Sequence, residues 1–183
     1  AMLMNVLRSS YLAKMDDEVI KYAEMVVLQN NARPLDILEA RYNKAQSLIS
    51  KEKWNEAKTD LEMVAAKGQG EEVAECNYYL SLILYKNKEY QKSLDDAFER
   101  KPKIDGYDYW LAKLFILIGD NYAELNDLFQ AEATYQSIID NYIGDDQVLN
   151  EAKEKKEKVR QRALENSLIK SSNQLDTIPL IQY

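Results

Sequence analysis

The sequence predicts an all-α protein, a solenoid of antiparallel helix pairs closed by one further helix. Three observations carry this expectation. Turn-forming residues are scarce, with 5 Gly and 3 Pro in 183 residues, far fewer than a sandwich or barrel of that length needs. Long runs of Ala, Leu, Glu, Lys and Gln favour helix. One arrangement of large and small residues also recurs at 36 and then 38 positions, about the length of a helix pair.

The recurrence is clearest in residues 41–57, 77–93 and 115–131. In each, a large residue (Trp54, Tyr90, Leu128) stands three positions before a small one (Ala57, Ser93, Ala131). Further back, a second small residue recurs (Ala45, Ser81, Gly119), followed three positions later by Leu48, Leu84 and Tyr122. Two antiparallel helices approach closely only where side chains are small. The large residue near the turn then fills the space between neighbouring pairs. Each pair alone leaves an apolar face uncovered, so the pairs must stack. These are the marks of the tetratricopeptide unit, whose standard length is about 34 residues.

Taken in order, residues 1–166 form the predicted repeat domain. A degenerate unit spans about 3–30, with helices expected at 6–14 and 16–29. Its plug position is Asp16, a poor choice. Asn30-Asn31-Ala32-Arg33-Pro34 breaks the chain, and Pro34 suits the first turn of the next helix. Well-formed units follow at 35–66, 71–100 and 107–142, separated by Lys67-Gly-Gln-Gly70 and Arg100-Lys-Pro-Lys-Ile-Asp-Gly106. After Ile143-Gly-Asp-Asp146, with Asp145 or Asp146 as N-cap, a polar capping helix is expected over 146–166. Residues 167–183 read as an extended or partly disordered tail, with an apolar end, Ile178-Pro-Leu-Ile-Gln-Tyr183, suited to docking on itself or a neighbour.

Composition argues against several kinds of chemistry. There is no histidine, the commonest general base and metal ligand. The single cysteine, Cys76, reads as a packed residue. It can build neither a disulfide nor a cysteine metal site. The acidic pairs Asp95-Asp96 and Asp145-Asp146 lack the alternating ligands, glycine and distal Glu of a calcium loop. No phosphate-binding glycine loop occurs. Ser9-Ser10 and Ser171-Ser172 have no base to activate them. The chain is therefore read as a non-enzyme with no cofactor, no metal and no catalytic residue. A net charge of −7 speaks against nucleic acid. The basic run Lys153, Lys155, Lys156, Lys158, Arg160, Arg162 is interleaved with glutamates and reads as a solvated helix face. No stretch is apolar enough to insert in a membrane. No signal pattern opens the chain, which reads as the end of a longer protein.

Residues 109–142, beginning Tyr109-Trp-Leu-Ala and ending Ser137-Ile-Ile-Asp-Asn-Tyr142, resemble the C-terminal region of large tetratricopeptide proteins of Bacteroidetes bacteria. The acidic loop and last helix that follow fit the same resemblance, which covers about 35–166. It implies an exported scaffold of the periplasm or cell envelope with more repeats upstream. It brings no catalytic residues.

In tetratricopeptide arrays the first helix of each unit lines a concave groove. Mapped onto this chain, the inward positions are Glu39, Tyr42, Gln46, Ile49 and Ser50, then Glu75, Tyr78, Leu82, Tyr85 and Lys86. The third unit offers Lys113, Ile116, Asp120, Ala123 and Glu124, and the degenerate unit adds Arg8 and Tyr11. The tyrosines (13 in the chain) offer rigid apolar faces with a polar tip, suited to peptide recognition. The same rings also suit packing between units, and spacing alone does not separate the two. The functional expectation is a protein-interaction scaffold that binds a peptide or partner helix in this groove, with self-association left open. The alternative is a purely structural cap of a longer solenoid, marked by exposed apolar surface around Leu3, Val6 and Leu7.

Overall fold

The computed structural model describes residues 2–175, which form nine α-helices and no strand. They are α1 (Met2–Leu12), α2 (Asp16–Val27), α3 (Pro34–Ser50), α4 (Trp54–Lys67), α5 (Glu71–Lys86), α6 (Tyr90–Ile104), α7 (Asp108–Glu124), α8 (Leu128–Asn141) and α9 (Asp146–Leu175). Two compact units divide the chain after Leu111.

In the first unit each helix packs on the next, from α1 through α6, and α1 also touches α3. Side-chain bonds give the direction of one pair. Asn77 meets Arg100 while Ser81, one turn on, meets Asp96, one turn back. Helices α5 and α6 therefore run antiparallel. Close packing sits at the small residues: Ala45, Ala57, Ser81 and Ser93 have at most trace exposure, and Ser93 Oγ donates to the Ser81 carbonyl at 2.9 Å. One core gathers Leu48, Leu61, Val64, Cys76, Leu80 and Ile83 from α3, α4 and α5. Another gathers Met4, Leu7, Val19, Ala23 and Val26 with Ala40.

In the second unit α9 packs on α8, and Val148, Ala152 and Val159 join Ile116, Ala131, Tyr135 and Ile138 in one core. Ile116, an expected groove residue, is therefore a core residue. The rest of α9 is charged on most sides, which leaves only this stripe to bury. Asp145 is its cap, accepting from the Gln147 amide at 2.6 Å.

The turns that close α1, α3, α5 and α7 share one geometry. Lys14, Glu52, Lys88 and Asn126 each have positive φ, between 55° and 63°. Each donates its amide to the carbonyl three residues back, and the next residue donates to the carbonyl five back. This is the Schellman ending of a helix. The large residue of the recurring pattern then opens the following helix, at Trp54, Tyr90 and Leu128. Asp16 does the same for α2, so the degenerate unit keeps the turn while losing the plug.

Helix α1 spans Met2–Leu12 where 6–14 was expected, and two later boundaries differ as well. Helix α6 runs through Pro102 to Ile104, where a break was expected from Arg100. Proline already holds a helical φ. The carbonyl it frees, four residues back, belongs to the exposed Phe98, and Ile104 is fully buried beyond it. Helix α9 continues to Leu175, so the first part of the expected tail is helical. Residues 176–183, including the apolar end, lie outside the described residues.

Candidate binding face

The first helices of three successive pairs, α1, α3 and α5, carry a connected polar row. The Arg8 guanidinium on α1 donates to both carboxylate oxygens of Glu39 on α3, each at 2.6 Å. Three residues along α3, the Tyr42 hydroxyl donates to Glu75 Oε2 on α5 at 2.5 Å. The partners stand 31 and 33 positions apart, close to one repeat. The stacking of equivalent helices thus brings equivalent faces together.

Electrostatics single out Glu75. Burial holds its carboxyl above the usual range. The Tyr42 hydroxyl and the Gln46 amide act against this, and the charges of Glu71 and Glu72 add to it. Its hydrogen-bond partner is thus a hydroxyl rather than a cation. Burial also raises Glu72, and Glu39 adds to that. Burial pushes up both Tyr11 and Tyr42; the Glu75 charge adds to both, and the hydrogen bond that Tyr42 donates to Glu75 adds further at Tyr42. The Gln46 amide nitrogen is buried and makes no bond of ordinary geometry among the described residues, yet it approaches Glu75 closely enough to favour the charged carboxylate. Tyr42 and Gln46 are thus the two polar side chains that favour the charged form of Glu75.

The remaining expected residues fall in several places. Tyr78 is buried at 8% exposure. Its ring packs on Tyr79 and Trp110 at 5.3 and 5.6 Å between centroids, so it belongs to the interior rather than to an open groove. Leu82 and Tyr85 are half-buried, and Tyr85 meets Tyr90 edge-on at 5.4 Å. Lys86 is exposed and lies over the Trp54 ring at 5.2 Å, a cation–π contact.

In the second unit, α9 occupies the partners that a ligand would need. Lys113 bonds Glu151 at 2.8 Å. Asp120 accepts Lys155 on both oxygens at 2.8 Å and the Tyr135 hydroxyl at 2.7 Å. Glu124 is exposed. The mapped positions thus hold a polar row in the first unit and intramolecular ion pairs in the second.

Sequence mapping left out Glu72, Tyr79 and Trp110. Trp110 Nε1 donates to Glu71 at 3.2 Å. Burial pushes Tyr79 up to about 12, with Glu75 adding to it. Glu71, Glu72 and Glu75, spaced for one helix face, were the available signal.

Cys76 is fully buried and burial pushes its thiol up. Among the described residues no cluster of three His, Cys, Asp or Glu side chains is placed to hold a metal, and no helix is long and apolar enough to cross a membrane. The class defined by these observations is an all-helical protein of consecutively packed helices, in the manner of a solenoid. No family model, no curated protein and no solved structure matches the chain.

Proposed function

We propose that this chain is a protein-interaction scaffold of the tetratricopeptide type, and that the α1–α3–α5 face binds a peptide segment carrying a basic side chain. One observation carries the proposal. Glu75 is a half-buried carboxylate bonded to a hydroxyl instead of a cation. A lysine or arginine of the ligand meets Glu75. Tyr11 and Tyr42 supply apolar faces at little cost in side-chain entropy. The type assignment draws support from the shared turn geometry, repeated at 38, 36 and 38 residues. The resemblance of residues 35–166 extends the reading to an exported cell-envelope scaffold.

The test is a panel of labelled peptides that differ in one Lys, Arg or Ala, read by fluorescence anisotropy. Binding requires the basic residue and drops at least tenfold in Glu75→Gln, with a smaller loss in Gln46→Ala. A panel without selective binders, or unchanged affinity in both variants, removes the proposal.

A further inference from the structure

A second surface, independent of the polar row, follows from comparing equivalent positions. Aligned on the turn residues Lys14, Glu52 and Lys88, Met2 corresponds to Ala40 and Cys76, and Val6 corresponds to Lys44 and Leu80. Ala40 and Cys76 are 0% exposed, whereas Met2 is 84% exposed. Ala40 shares a core with Val19, Ala23 and Val26 of α2. Cys76 shares one with Ala57, Leu61 and Val64 of α4. In both cases the second helix of the preceding pair covers the first helix of the next, with small or branched apolar residues at positions i, i+4 and i+7.

Among the described residues the corresponding surface of α1 has no such cover. Shallow clefts lie on both sides of Met2 and Val6, reaching Met25 on one side and Met15 on the other. Both of these methionines are exposed, and methionine adapts its shape to a partner. Leu7, by contrast, is fully buried, and Leu3 and Val6 are half-buried, so the uncovered surface centres on Met2 and has Val6 at its edge.

The face requires a second-helix stripe. The stripe of α2 lies in a core with Ala40 of α3, and that of α4 in a core with Cys76 of α5. The α8 residues of the same kind, Ala131, Tyr135 and Ile138, lie in a core with α9. The stripes of α2, α4 and α8 are therefore already covered within the chain.

We propose that the Met2–Val6 face of α1 is a stacking face for a further helix pair of this same type, whose second helix presents apolar residues at i, i+4 and i+7. The contact continues the interface already formed twice in the first unit.

The test extends the whole chain by a copy of residues 34–75 joined directly to Met2, which sets Met2 where Cys76 stands. Hydrogen exchange and thermal unfolding are compared with those of the unextended chain. The added helices are expected to be protected at least a hundredfold over unfolded-chain rates and to melt with α1–α2 at a higher midpoint. Leu61→Asp and Val64→Asp in the added copy abolish both effects. An added segment that exchanges as unfolded chain overturns the proposal. So does protection that survives both substitutions, since the pair then folds without stacking. Sedimentation of the unextended chain gives the remaining outcome. A dimer dissolved by Met2→Asp assigns the face to a second copy and overturns the proposal as well.

Discussion

The Tyr135 ring of α8 lies against the backbone of Gly119 in α7, so that a β-carbon at 119 would stand 2.5 Å from Cε1 and 2.8 Å from Cζ. The ring has nowhere to move: Tyr135 is 1% exposed, and its hydroxyl is tied to Asp120 at 2.7 Å. Alanine is the better helix former by about 1 kcal/mol, but overpacking a filled core costs about 1–3 kcal/mol. Gly119→Ala is therefore expected to lower stability by a net of up to about 2 kcal/mol, the overpacking cost less the helix gain, in urea unfolding. Adding Tyr135→Leu removes the clashing ring atoms, so the two changes should be strongly non-additive. Simple additivity would show that the contact is not the cause.

Three of the four helix endings place an ordinary side chain in the left-handed region: Lys14 at φ 55°, Glu52 at 58° and Lys88 at 63°. A β-carbon there costs about 1–2 kcal/mol, which glycine avoids while losing some unfolded-state advantage. Glu52→Gly and Lys88→Gly should each raise stability by a net ~0.5–1 kcal/mol, by that balance. The same substitution one residue earlier, at Lys51 or Asn87, falls on negative φ and should lower it. Equal effects at the two positions would remove the backbone explanation.

Asp60 of α4 is 4% exposed and faces two cations of α3, Arg41 and Lys44. Lys44 also reaches Glu24 of α2 at 3.0 Å. Removing the shared acid leaves partly covered cations facing each other. Breaking such a pair costs about 3–5 kcal/mol when fully buried, and both cations keep about a fifth of their side-chain exposure (20% and 21%). Asp60→Asn is expected to cost ~3 kcal/mol, at the low end of that range. The loss should shrink when Arg41→Met is already present. A cost that is the same in both backgrounds would show that Asp60 acts through another contact.

The helix pairs were legible because their signal is spacing. Trp54, Tyr90 and Leu128 mark where α4, α6 and α8 begin, and the small residues before and after them lie in the cores. The turns were legible by position but not by residue: lysine and glutamate at Lys14, Glu52 and Lys88 carry no preference for positive φ. The length of α9 was hidden because Ser167, Ser171 and Ser172 read as a stop, although the helix continues past them. The polar contacts were hardest to read. Whether Asp120 lines an open groove or is consumed by Lys155 depends on the register of α9, on which the repeat is silent. Tyr78 and Tyr42 share the same period, yet one is buried beneath Trp110 and the other meets Glu75. That difference comes from side-chain volume across helices, which a single sequence does not display.

Glu75 links stability to pH with an unusual sign. Its carboxyl titrates above the ordinary value of 4.5 because burial disfavours the charge. In the window between 4.5 and the raised folded value, the folded state binds more protons than the unfolded one, so stability falls as pH rises. Asp17 and Asp36 work the other way. Their hydrogen bonds with Lys51 and Arg33 hold them below 3.8, and their contribution is lost as pH falls through those lowered values. Glu75→Gln keeps the shape and an acceptor for the Tyr42 hydroxyl while removing the charge. The variant is expected to be more stable than the parent at pH 7. Its advantage should shrink as pH falls toward 4.5 and level off below it. Unfolding midpoints of both proteins across that range decide the matter, since an advantage that is constant with pH would trace the gain to packing instead of the charge. Tyr42→Phe supplies the converse. Losing a hydrogen bond to a charged group costs about 1.5–3 kcal/mol, and with its one hydroxyl gone Glu75 titrates higher still. The downward slope of stability with pH should then extend to higher pH than in the parent, whereas a slope unchanged by Tyr42→Phe would place its origin on a different carboxylate.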